Sequence, residues 1–160
     1  MKTLMLPLDP DFNRVVLSIM DELLPQGFAI SDEAPNDYAS LRADFVRRGR
    51  IVVFSGASER TIYADPAVNY AFRAWHDLCH LQGNYDTSYV GEVSTCGLQT
   101  CQLLKRFGHN ERTWRWIQII EAEIIGQARH FERYRQFPID QAAFVLAYLK
   151  SPFDALGQQY

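Results

Sequence analysis

Two aspartate-proline pairs, Asp9-Pro10 and Asp65-Pro66, constrain the fold of this chain more than any other feature of its sequence. An aspartate at the N-cap accepts from a backbone N–H of the first turn. A proline at the first helical position loses nothing, because its missing N–H would have had no partner in the helix. The first pair predicts a helix from Pro10 to about Leu24, stopped by Pro25-Gln26-Gly27, and the second predicts one from Pro66 to about Leu81.

The rest of the chain follows the same punctuation. A helix is expected from Tyr38 to Arg48, closed by Gly49, and another from Gly91 to Phe107, stopped by Gly108. Asn110 is a good N-cap for a long helix reaching about Gln136, and a last one spans Ile139 to Lys150, before Ser151-Pro152. The period changes only around Ile51-Val52-Val53-Phe54 and Thr61-Ile62-Tyr63, which Ser55-Gly56-Ala57-Ser58 separates. Those two runs read as an antiparallel hairpin. The expected class is α+β: a single domain over residues 1–160, mostly helical, with a small antiparallel sheet before the helix that carries the chemistry.

At 48% hydrophobic and 22% charged residues, a chain of 160 residues buries a core without staples. The net charge of −3 argues against a nucleic-acid coat, which needs a basic excess. No apolar run approaches the roughly 20 residues of a membrane span. Met1-Lys2-Thr3-Leu4-Met5-Leu6-Pro7 is too short an apolar stretch for a secretory leader, so a cytoplasmic protein is expected. The odd set Cys79, Cys96 and Cys101 fits free thiols in a reducing compartment.

The helix after Pro66 is the informative one. His76 and His80 stand one turn apart on one face, a spacing that lets two imidazoles converge on an ion. At about 100° per residue, Val68, Phe72, Trp75, Leu78 and Cys79 form one apolar face, and Tyr70, Ala74 and Leu81 a second. The arc left between them holds Asn69, Arg73, His76, Asp77 and His80. A solvent-facing arc would ordinarily hold Lys, Glu or Gln, so this one reads as the wall of a polar cavity. Cys79 points away from the histidines and reads as a small core residue.

Catalytic zinc sites add a third protein ligand to two histidines. On the Asn110 helix, Glu123 falls among apolar residues in projection, and Glu121 falls on the opposite flank. A buried carboxylate has to be paired or metal-bound. Glu123 is therefore the expected third ligand, with Glu121 behind it. Glu92 is the remaining candidate: it sits in the first turn of its helix, where the dipole favours an acid, yet shares a face with Cys96, Gln99 and Leu103. Asp77 or Glu92 would take a proton from the metal-bound water, and Arg73 would hold an anionic group of a small-molecule or peptide substrate.

His76-Asp77-Leu78-Cys79-His80 resembles the HExxH helix of zinc metallopeptidases of the gluzincin type, with Asp in place of Glu. The order of elements from about Ile51 to Phe131 also resembles their smallest forms, in which a Glu on a later helix completes the site. The resemblance implies zinc on His76, His80 and Glu123, a water-activating Asp77, and a peptide lying along a strand. Asp is one methylene shorter than that family's Glu. The His76-Asp77 pair is similar, too, to the signature of HD-type phosphohydrolases, although no histidine precedes it here. Iron or manganese would suit such donors as well. A different class, a non-catalytic binding or inhibitory protein with a structural polar or metal cluster, fits the small size and the tyrosines Tyr85, Tyr89 and Tyr160.

Overall fold

The computed structural model describes residues 5–160, so the reading of Met1 to Leu4 as part of a leaderless start lies outside the described residues. Packing divides the chain into two compact units, one ending at Leu78 and the other Cys79–Tyr160. The boundary falls inside a single uninterrupted helix.

In the first unit, α1 (Pro10–Leu23) starts as its sequence dictates, with the Asp9 carboxylate accepting from Phe12 N at 3.0 Å. Phe12, Val16, Ile19 and Met20 recur at helical spacing and are buried, which seats one face of α1 in the core. β1 (Ala29–Ser31) leads into α2 (Tyr38–Arg48), which is closed by Gly49 in the left-handed region at φ 69°. β2 (Val52–Phe54) then pairs with β1 in parallel, with Ala29 opposite Val52 and Ser31 opposite Phe54.

This corrects the expected antiparallel hairpin. The Ile51–Phe54 run does supply a strand, but its partner lies upstream, across α2. The segment after β2 gives the reason. Arg73 donates to the carbonyls of Phe54, Gly56 and Ala57 at 2.7, 2.7 and 2.9 Å, which bends the chain away from a return strand. Thr61, Ile62 and Tyr63 are buried, so their β-like composition reports core packing. Their backbone acceptors are engaged singly: Ile62 O accepts from Leu8 N at 2.8 Å, and Tyr63 O from Asn13 Nδ2 at 2.9 Å.

α3 (Pro66–Gly83) opens with Asp65 accepting from Ala67 N at 2.9 Å. Of the expected apolar face, Val68, Phe72, Trp75 and Cys79 are buried along it and Leu78 is half-buried. α4 (Tyr89–Phe107) is capped by Ser88 and ends at Gly108. Its buried residues are Gly91, Thr95, Cys96, Gln99 and Leu103, a narrow stripe in which Thr95 and Gln99 are polar.

The long helix expected from Asn110 runs on to Tyr134, with one irregularity. α5 (Glu111–Glu121) passes into a π-helical turn (Ala122–Gly126) before α6 (Gln127–Tyr134). α4 and α7 (Gln141–Lys150) both pack on that turn, and Gly126 leaves room for α7: a Cβ there would lie 3.0 Å from the Tyr148 ring. α8 (Pro152–Ala155) closes the chain. The class is α+β and mostly helical, and among the described residues no helix is long and apolar enough to cross a membrane.

Candidate metal centre

α3 carries His76 and His80 one turn apart, and its last residues hand the chain to a tight loop before α4. Asn84 takes the left-handed conformation at φ 51°, and Tyr85 N donates back to His80 O at 3.1 Å. Two glycines allow the loop to lie this close. A Cβ on Gly83 would stand 2.1 Å from the Tyr85 ring, and one on Gly91 would stand 1.9 Å from Asp86 O. The Ser88 hydroxyl and then its N–H donate to the Asp86 carboxylate, holding it below the usual carboxylate range.

The loop fixes the protonation geometry of His80, whose side chain is 2% exposed. His80 Nδ1 lies 2.9 Å from Tyr85 O and 3.2 Å from Thr95 Oγ1. A carbonyl only accepts, and the Thr95 proton is given to Gly91 O at 2.9 Å. Nδ1 therefore carries a hydrogen. The other nitrogen, Nε2, faces Glu92 Oε1 at 3.5 Å. Glu92 is held there by the first turn of α4, where the helix dipole favours its negative charge.

His76 completes the group. His76, His80 and Glu92 each offer one ligand atom, and these atoms lie within 4.8 Å of one another. Metal–ligand bonds of about 2.0–2.2 Å in a tetrahedron set neighbouring ligands about 3.3–3.6 Å apart. The 3.5 Å between His80 and Glu92 matches that edge, and it is equally the spacing of an ion pair between Glu92 and a protonated imidazole. Two nitrogens and one carboxylate oxygen suit a borderline divalent ion such as zinc, and also iron or manganese.

The remaining candidates are placed differently. Glu92, expected as a base or a reserve ligand, lies in the group itself, and Glu123 lies outside it. Glu123 is buried in the π turn, with Gln127 Nε2 3.4 Å from its Oε2. Glu121 is exposed, so the expectation that burial forces it into a pair is corrected: solvent carries its charge. Asp77 follows His76 on α3 and is half-buried. Arg73, expected as an anion holder, donates to the carbonyls of Phe54, Gly56 and Ala57 in the segment after β2. Cys79 is buried with its thiol against Gln102 Oε1 at 3.7 Å, and burial pushes it up to about 12.

Sequence reasoning missed Thr95 and the Tyr85 carbonyl. The signal for Thr95 was present: it shares a flank of α4 with Glu92, three residues on, in a stretch of small residues suited to close packing. A backbone carbonyl leaves no mark in composition. Compared with known proteins, the chain matches no family model, no curated protein and no solved structure.

Proposed function

We propose that the protein is a metal-dependent hydrolase holding one divalent ion, zinc, on His76, His80 and Glu92. The observation that carries this reading is the meeting of His80 Nε2 and Glu92 Oε1 at 3.5 Å, with Nδ1 already committed as a donor. In that tautomer the Nε2 lone pair of His80 and a carboxylate oxygen of Glu92 point at a common place where an ion would sit, and the second imidazole one turn away on α3 supplies a third donor.

An ion held by three protein ligands would leave a position for water and lower that water's pKa towards 7. Asp77, the carboxylate beside His76, would take the water's proton, and the substrate would be a peptide or another small molecule with a polarisable carbonyl or phosphoryl group. Glu92 lies on the helix directly after the histidines, which preserves the ligand order of the zinc peptidases that His76-Asp77-Leu78-Cys79-His80 resembles. Their longer Glu is replaced here by Asp77, so peptide hydrolysis is expected to be slow beside theirs.

The test is elemental analysis of the purified protein beside His76→Ala/His80→Ala. About one zinc per chain, lost in the double variant, supports the reading; peptide and phosphoester substrates are then screened on the loaded protein. Equal metal in both proteins, or none in either after reconstitution, overturns it.

A further inference from the structure

We propose that Thr95 is a positioning residue of this centre, whose hydroxyl holds His80 so that Nε2 and not Nδ1 is the metal donor. The proposal rests on the metal reading above and adds to it the tautomer and the group that maintains it.

Thr95 is fully buried on α4. A hydroxyl there has one hydrogen to give and lone pairs to fill. The hydrogen goes to Gly91 O, one turn back, at 2.9 Å. A lone pair then receives Nδ1–H of His80 at 3.2 Å, while Tyr85 O receives it from the other side at 2.9 Å. Turning the ring over would set a carbon against both acceptors and lose both contacts. The ring is thereby locked with Nε2 toward Glu92. Thr95 and Glu92 belong to the same helix, so α4 supplies both a ligand and the group that aims its neighbour. Ligating histidines generally hand their second N–H to such a partner, and removing it weakens metal binding about 10–100-fold.

The experiment compares zinc affinity, by chelator competition, in the wild type, Thr95→Ser and Thr95→Val. Imidazole ¹⁵N spectra of the zinc-loaded wild type are recorded alongside. The expected result is His80 bound through Nε2 with its proton on Nδ1, about 10–100-fold weaker zinc binding in Thr95→Val, and rescue in Thr95→Ser. Melting curves of the zinc-free variants separate a loss of affinity from a loss of folding. Zinc on Nδ1 of His80, or a folded Thr95→Val with wild-type affinity, overturns the proposal. Failure of the wild type to take zinc at all defeats the metal reading itself, and is seen before any Thr95 variant is compared.

Discussion

His80 Nε2 and Glu92 Oε1 face each other at 3.5 Å across the loop that joins α3 to α4. The loop is only a few residues long, so the glutamate nearest to His80 in sequence lies beside it in space. Glu123, more than forty positions downstream of His80, lies instead in the interior of the second unit.

Glu92→Gln is therefore expected to weaken metal binding by more than about a hundredfold, beyond the usual loss for an outer partner. Glu123→Gln should leave metal stoichiometry unchanged. Chelator competition on both variants decides the matter. Metal retained in Glu92→Gln and lost in Glu123→Gln would show that the third ligand has been misassigned.

Much of the helical frame was legible because its signals are local. Asp9, Asp65 and Asn110 sit where their side chains reach the first-turn N–H groups, and Gly49 and Gly108 sit where helices end. The strand pairing was not legible. β1 has only three residues and finds its partner across α2, a contact that no local pattern encodes. The place of Glu123 was hidden for another reason. A helical projection at constant spacing assumes i→i+4 bonding, and the π turn at Ala122–Gly126 breaks it at Glu123 itself. Projection also reports which face a residue occupies, never what stands opposite, so Glu92 could be ranked only by its dipole and by Cys96, Gln99 and Leu103 on its face.

Gly91→Ala tests the loop that delivers the Tyr85 carbonyl. The added Cβ would meet Asp86 O at 1.9 Å, a backbone atom with no rotamer to yield. The loop has to shift, at an expected cost of about 1–3 kcal/mol in denaturant unfolding. Zinc affinity should fall with it, since His80 loses a partner. Wild-type stability in this variant would mean that the loop is not held tightly against α4.

Arg73→Ala should behave as a fold variant and not as a site variant. Its guanidinium donates to Phe54 O, Gly56 O and Ala57 O, bonds of the charge-assisted kind. Losing them is expected to cost about 2 kcal/mol of stability, with metal content unchanged at temperatures where the variant is folded. A large fall in turnover without loss of stability would instead return Arg73 to the role of anion holder.

Chelation distinguishes a catalytic ion from a structural one. The core of the second unit rests on Trp116, Ile117, Ile120, Phe144 and Val145, and His80 keeps Tyr85 O and Thr95 as partners without an ion. The metal-free protein is therefore expected to retain its far-ultraviolet circular dichroism and a cooperative melt. Unfolding on chelation would point to a structural metal in a non-catalytic protein.

The cysteines give a pH dependence whose sign can be worked out. Burial raises the thiols of both Cys79 and Cys96 from 9.0 to about 12, while Cys101 is exposed. Above pH 9 the unfolded chain releases these two protons and the folded chain keeps them. The folded state then binds more protons, so stability falls as pH rises from about 9 to 12 and is undiminished by these thiols below 9. A thiol reagent at pH 8 should modify one cysteine quickly in the native protein, and the other two only on unfolding. In Cys79→Ala/Cys96→Ala the alkaline loss of urea stability should become shallower. An unchanged slope, or three equally fast thiols in the native protein, would contradict the burial of this pair.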